Sequence, residues 1–160
     1  MNTKLSTILL ATLGFSSQVP TNACTGITLK SKDGATIAAR TIEWAESVMN
    51  TMYVVVPQKH ELQSLTPSGK DGLKFKAQHG FIGLAVEQEE FIVEGINEKG
   101  LSAGLFYFPN YGKYPSYDAT QKDKSLSDFQ LVSYVLAECS SLDEVKEALS
   151  DVRVINIDPR

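Results

Sequence analysis

The chain has 160 residues and a formal net charge of −4, from 15 Lys and Arg against 19 Asp and Glu. That length suits one domain of modest size, and the acidic balance argues against nucleic acid or an anionic membrane surface as the main partner. Two cysteines are too few for a disulfide scaffold, and beyond the first 23 residues no apolar run is long enough for an integral membrane helix.

Met1 to Phe15 reads as a short secretory signal: Lys4, then the apolar stretch Leu5 to Leu13. Ser16, Ser17, Gln18 and Pro20 follow, and Thr21-Asn22-Ala23 puts small residues three and one before a cut. Lys4 is the only charge in 1–23, so cleavage after Ala23 leaves a slightly more acidic mature chain, 24–160, that begins with Cys24. A terminal cysteine carries a nucleophile and a base on one residue. An α-amine ordinarily titrates at roughly 7.7–8.0 and can take the thiol proton near neutrality. On these residues three readings of Cys24 stay open. It is the nucleophile of an N-terminal-nucleophile hydrolase, or the lipidated first residue of a lipoprotein, or half of a disulfide with Cys139, the only other cysteine. Against the lipoprotein, Thr21 stands where such signals usually carry Leu.

Strand signals dominate from Cys24 to Phe108. Thr25–Lys30 and Ala35–Thr41 flank a hairpin turn, Ser31-Lys32-Asp33-Gly34. Met52–Val56 is a β-branched and aromatic run stopped by Pro57. Residues 58–72 are polar, with Pro67, Gly69 and Gly72, and read as an exposed loop. Leu73–Ala77 and Gly80–Val86 are further strands, and Phe91–Ile96 and Leu101–Phe108 form a hairpin around Asn97-Glu98-Lys99-Gly100. Asn110–Lys124 reads as loop.

The period then changes. Ser127 with Gln130 is a capping box before an apolar stripe at Leu131, Val132, Val135 and Leu136. Ser141 with Glu144 is a second box, for a short helix over Leu142–Leu149 that buries Val145, Ala148 and Leu149. Val152–Ile157 starts another strand, and the abrupt end at Pro159-Arg160 suggests the front part of a longer protein. Strands followed by helices predict an α+β domain, a mostly antiparallel sheet with helices on one face.

Arg40 closes the second strand and returns to the level of Cys24, where a guanidinium favours the thiolate. Glu43 follows and is placed to hold the terminal ammonium and Arg40, although a surface Arg–Glu pair is the ordinary alternative. Trp44, the only Trp, serves as core or as a pocket wall. His60 and His79 stand apart without ligand spacing, so both read as surface residues, and no metal or cofactor is expected.

Cys24-Thr25-Gly26 at a new N-terminus, Arg40 in an Arg-x-x-acidic motif, Asn97-Glu98-Lys99-Gly100-Leu101 with Ala103-Gly104-Leu105, and Phe108-Pro109 together resemble the choloylglycine hydrolase family. That family contains bile salt hydrolases and penicillin V acylases. The resemblance runs through nearly all of 24–157 and is specific in its spacing. It implies the αββα sandwich of an N-terminal-nucleophile hydrolase, of which this chain supplies the first part. A later Asn and a later Arg of the family's site have no counterpart before Arg160. Cys24 matches the nucleophile and Arg40 the arginine beside it. Glu43 stands where the family usually has Asp and keeps the charge on a longer arm. The oxyanion Asn of the bile salt hydrolases falls in a Gly-Leu-Asn-Phe-Pro stretch. Here Gly104–Pro109 is one residue longer and lacks that Asn. Tyr107 is the best match, as penicillin V acylases also use Tyr there, and a phenol can donate to an oxyanion. Tyr107 and Phe106 also suit a core strand, and Asn97 reads as a turn former.

The resemblance implies hydrolysis of a linear amide, with a conjugated bile acid as the first substrate and penicillin V or an acyl-homoserine lactone as alternatives. A lipid-anchored binding module is the non-enzyme alternative. Ile42, Trp44 and Phe106 are the substrate-binding candidates. Met49, Met52, Phe81 and Phe106 either line a sterol-sized pocket or pack in the core. The signal resembles that of the exported Gram-negative branch, which implies a periplasmic or secreted protein. The partner is a small-molecule amide, and a homo-oligomer is left open.

Overall fold

The computed structural model describes residues 24–43, 49–106 and 112–157. The signal-like segment 1–23, Trp44, Tyr107, Phe108 and Pro109 lie outside the described residues.

Strands β1 (Gly26–Lys30) and β2 (Thr36–Arg40) form the expected antiparallel hairpin, with Gly26 opposite Arg40. The turn closes where Asp-Gly required it: Ser31 N donates to Ala35 O at 2.9 Å, and Gly34 has φ 90°. The Ser31 hydroxyl donates to the Asp33 carboxylate and helps hold that carboxyl below its usual range.

The main sheet contains β3 (Thr51–Val56), β6 (Phe81–Val86), β7 (Ile92–Asn97) and β8 (Ser102–Gly104), in that order and antiparallel throughout. Its register steps from Leu84↔Glu94 to Ala85↔Ile92, so Val93 is the extra residue of a β-bulge. Helix α1 (Leu131–Glu138) packs on β7 and β8 and buries Val132, Val135 and Leu136. Gly95 permits that approach. A Cβ there would stand 2.6 Å from Ile82 O and 2.7 Å from Leu136 Cδ1.

Asn97 does more than form a turn. It is 4% exposed. Its Oδ1 accepts from the N–H of Lys99 and of Leu101, both at 3.0 Å. Its Nδ2 donates to Leu136 O at 3.0 Å and Cys139 O at 2.7 Å, carbonyls at the C-terminal end of α1. One amide thus closes the β7–β8 hairpin and satisfies helix-end carbonyls that α1 itself leaves orphaned.

Several expectations need correction. Segment 58–72 is not simply an exposed loop. It contains β4 (Glu61–Gln63), paired with β5 (Lys74–Lys76), and buries Ser64 and Thr66. Its one apolar strand residue, Leu62, gives no alternation to read. Gln130 explains the burial: its Oε1 accepts from Leu65 N at 2.7 Å and Ser64 Oγ at 3.2 Å, and its Nε2 donates to Gln63 O. Gln130 therefore does not complete the first capping box, although Ser127 Oγ does accept from Phe129 N. The stretch read as loop up to Lys124 carries a 3-10 helix, Ala119–Lys124. After it, β9 (Ser125–Ser127) pairs in parallel with β10 (Arg153–Ile155).

Ser141 caps α2 (Leu142–Ser150), but Glu144 reaches back to Ser140 N rather than to Ser141 N. Val145, Ala148 and Leu149 are only half-buried. His60 is exposed, whereas His79 is partly buried: its backbone N–H donates to Ala137 O, and Nδ1 lies 3.7 Å from the Glu98 carboxylate. Cys24 and Cys139 do not form the alternative disulfide. No helix of the described residues is long and apolar enough to cross a membrane.

Candidate active site

Pairing of the first hairpin continues past the end of β2. Thr41 N donates to Thr25 O at 2.9 Å, and Thr25 N donates to Thr41 Oγ1 at 3.1 Å. Side chains alternate along a strand, so extending this register puts Cys24 opposite Ile42, on the face that carries Gly26 and Arg40. Cys24 and Arg40 are thus diagonal neighbours, a separation within reach of a long side chain. The expectation that Arg40 returns to the level of Cys24 agrees with this register. The Cys24 thiol also lies 3.8 Å from the backbone carbonyl of Glu43.

Arg40 is held closely. Its side chain is only 5% exposed, on a hairpin whose other residues are mostly open to solvent. One terminal nitrogen donates to Leu105 O at 2.7 Å and Val93 O at 3.2 Å. Nε donates to Thr41 O at 3.1 Å and lies 3.6 Å from Glu94 Oε2. The guanidinium carbon stands 4.5 Å from the centre of the Phe106 ring, within cation–π range. Val93 O also accepts from Leu105 N, so Arg40 seals the junction where the bulged β7 meets the end of β8.

Glu43 lies past the end of β2. Its carboxylate accepts from the Thr41 hydroxyl at 3.2 Å, on the ladder face that Thr41 occupies. The carboxylate ion-paired with Arg40 is Glu94, which the sequence reading missed. Ile42 is half-buried beside this site, and Phe106 covers Arg40 while keeping nearly half its surface open. The four candidates for an apolar pocket separate. Phe81 is core at 4% exposure, Met52 is exposed on β3, Met49 is half-buried, and Phe106 stands over Arg40. Among the described residues, no group of His, Cys, Asp and Glu is arranged to hold a metal.

A thiol on the same ladder face as a guanidinium that is nearly enclosed and covered by an aromatic ring suits nucleophilic chemistry on a carbonyl carbon. The chain is similar to proteins named as bile salt hydrolases/transferases. It is 30% identical over 134 residues to a bile salt hydrolase/transferase of Clostridium perfringens, covering 84% of this chain and 40% of that protein. A bile salt hydrolase/transferase of Lactiplantibacillus plantarum matches at 27% over 136 residues, covering 84% and 39%. The solved structure of a cysteine-to-alanine mutant of the conjugated bile acid hydrolase from Clostridium perfringens superposes with a TM-score of 0.66 at 28% identity, over 86% of this chain and 41% of that one. The chain therefore spans about two-fifths of the length of these relatives, in the α+β arrangement of the N-terminal-nucleophile hydrolase fold. The family described as linear amide C–N hydrolases, choloylglycine hydrolase family, matches residues 24–159, and the chain belongs to that family.

Proposed function

We propose that the mature protein hydrolyses a linear amide with Cys24 as the nucleophile, after export and removal of 1–23. The observation that carries this reading is Arg40, buried on the ladder face of Cys24 and hydrogen-bonded to carbonyls of the main sheet. Cleavage frees the α-amine of Cys24, which accepts the thiol proton. The thiolate attacks the amide carbon, and the oxyanion takes hydrogen bonds from Tyr107 and a backbone N–H. The tetrahedral intermediate collapses, the C–N bond breaks, and the leaving amine takes the proton from the α-ammonium. Water then attacks the thioester, which returns the thiol and releases the carboxylic acid.

The first substrate is a conjugated bile acid, split into a free bile acid and glycine or taurine. The names of the relatives and the half-exposed Phe106 ring, an apolar wall, support this choice. Penicillin V and acyl-homoserine lactones are the alternative amides. The location is the periplasm or the medium.

Two measurements on the mature protein test the reading. Terminal sequencing should find Cys24 first and unmodified; a diacylglyceryl group on it would establish the lipid-anchored alternative and remove the amine as base. Ninhydrin assay of glycine or taurine release, run beside penicillin V and an acyl-homoserine lactone, assigns the substrate. No turnover of any of the three would overturn the proposal.

A further inference from the structure

We propose that Glu94 is a positioning residue, which fixes the Arg40 guanidinium beside Cys24; this rests on Cys24 being the nucleophile. A guanidinium keeps its charge in a protein. At 5% exposure Arg40 needs a counter-charge, since an isolated buried cation is costly. The carbonyls of Thr41, Val93 and Leu105 supply dipoles but no net charge. Glu43, the nearer acid in sequence, places its carboxylate on the Thr41 hydroxyl. Glu94 supplies the charge, at 3.6 Å from Nε.

The local backbone supports this role. Glu94 directly follows the bulge residue Val93, whose carbonyl is itself an Arg40 acceptor. Its partner on the edge strand is Gly104, where a Cβ would stand 3.5 Å from the Phe106 ring that covers Arg40. Glu94 is ion-paired with the Arg40 guanidinium, so it acts through Arg40.

The sign of one measurement separates positioning from simple field effects. A carboxylate that only screened Arg40 would weaken the cation's pull on the thiolate. Its removal would then make Cys24 react at lower pH. A carboxylate that holds Arg40 in place has the opposite effect: without it the guanidinium leaves, and Cys24 reacts at higher pH. Among the described residues, the charged side chains placed at this end of the hairpin are Arg40 and Glu43 on the hairpin itself and Glu94 on β7.

The experiment uses the whole mature protein and follows iodoacetamide labelling of Cys24 by peptide mass mapping across pH. Cys139, 1% exposed and with its thiol pushed up by burial, then by Glu144 and Glu138, is read separately. Glu94→Gln keeps the side-chain size at a one-third exposed position and is compatible with folding. It should shift the Cys24 profile to higher pH, as Arg40→Ala does, and lower amide turnover on the order of 10- to 100-fold. The double variant should shift no further than Arg40→Ala alone, because both changes remove one interaction. A profile that Glu94→Gln leaves in place, or moves to lower pH, overturns the role of Glu94. A profile that Arg40→Ala fails to move overturns the reading of the site, whatever Glu94→Gln does.

Discussion

The ring of Phe106 occupies the space that Gly26 leaves by having no side chain. A Cβ on Gly26 would stand 2.7 Å from Cζ of Phe106 and 3.0 Å from Cε1. Gly26 lies opposite Arg40 in the hairpin, and the same ring covers the Arg40 guanidinium. The second residue after Cys24 therefore shapes the site by its absence of bulk. Gly26→Ala in the whole mature protein should push the ring aside and leave the hairpin intact, since Gly26 is an extended strand residue. Amide turnover should fall on the order of 10-fold or more, with the midpoint of thermal unfolding moved by no more than a few degrees. Unchanged kcat/KM would show that the Phe106 contact is incidental.

Asn97 provides a test of the opposite kind. Four backbone groups depend on its amide: two N–H groups and two carbonyls. Asn97→Ala should cost about 3 kcal/mol or more in urea unfolding, because buried polar groups left unpaired cost about 1–3 kcal/mol each. Turnover per folded molecule should hold. If turnover falls while stability stays, Asn97 belongs to the chemistry and not to the cap.

How far the site could be read from sequence depends on how local each contact is. The Asp33-Gly34 turn fixes the register of β1 and β2, and that register alone levels Arg40 with Cys24. Glu94 was not legible. Between it and Arg40 lie further strands and a bulge, and only the bulge at Val93 shows why this acid and not Glu43 meets the guanidinium. The capping boxes show the same limit. Ser141 caps α2 as its spacing requires, whereas Ser127 caps the 3-10 turn Asp128–Gln130 that precedes α1, each cap being a contact within one turn. Gln130 instead turns to Gln63, Ser64 and Leu65, which are distant in sequence. The segment holding them looked like exposed loop because its buried groups are hydroxyls and amides.

Cys24→Ser tests the nucleophile itself. A hydroxyl at its ordinary pKa is a far poorer nucleophile than a thiolate. Hydrolysis by the whole protein should be abolished, while the circular dichroism spectrum and unfolding midpoint stay within experimental scatter. Terminal sequencing of the variant belongs with the assay, so that loss of turnover is not confused with loss of processing. Full turnover by a correctly processed Cys24→Ser variant would sink the mechanism.

Asp128 sets a pH dependence of stability. Burial raises its carboxyl pKa, against hydrogen bonds from the N–H of Phe129 and of Ile157 that lower it. The ionised form is therefore disfavoured in the folded state relative to the unfolded one. The burden is full above the folded pKa, where both states are ionised, and vanishes below the unfolded value near 3.8, where both are protonated. Asp128→Asn removes the charge and keeps an acceptor oxygen. The variant should be the more stable protein at pH 7, and its advantage should shrink as pH falls through the folded pKa. Urea unfolding at both ends of that range measures this; an advantage that grows toward acid pH contradicts the assignment.

The face of the main sheet turned away from α1 carries the last prediction. Val55, Ile82 and Ile96 lie opposite one another across β3, β6 and β7, with Val55 72% exposed and the others nearly half exposed. Tyr53, also on β3, is 83% exposed. Ile92, at the start of β7, is buried at 1% exposure in the core cluster with Leu136. The bulge at Val93 changes the face on which β7 residues fall, so alternation counted through it misplaces Ile92. A contiguous apolar strip across three strands marks a surface that needs a cover. Expressed alone, 24–160 should associate or precipitate, and it should not hydrolyse amides. The triple variant Val55→Thr, Ile82→Thr, Ile96→Thr keeps β-branched side chains at all three positions and removes the apolar strip. It should stay monomeric at concentrations where the parent segment does not, with far-UV circular dichroism unchanged. Light scattering of the two proteins side by side decides the matter. A parent segment that is soluble, monomeric and active would show that this sheet needs no second layer and that the residues beyond β8 complete the site by themselves.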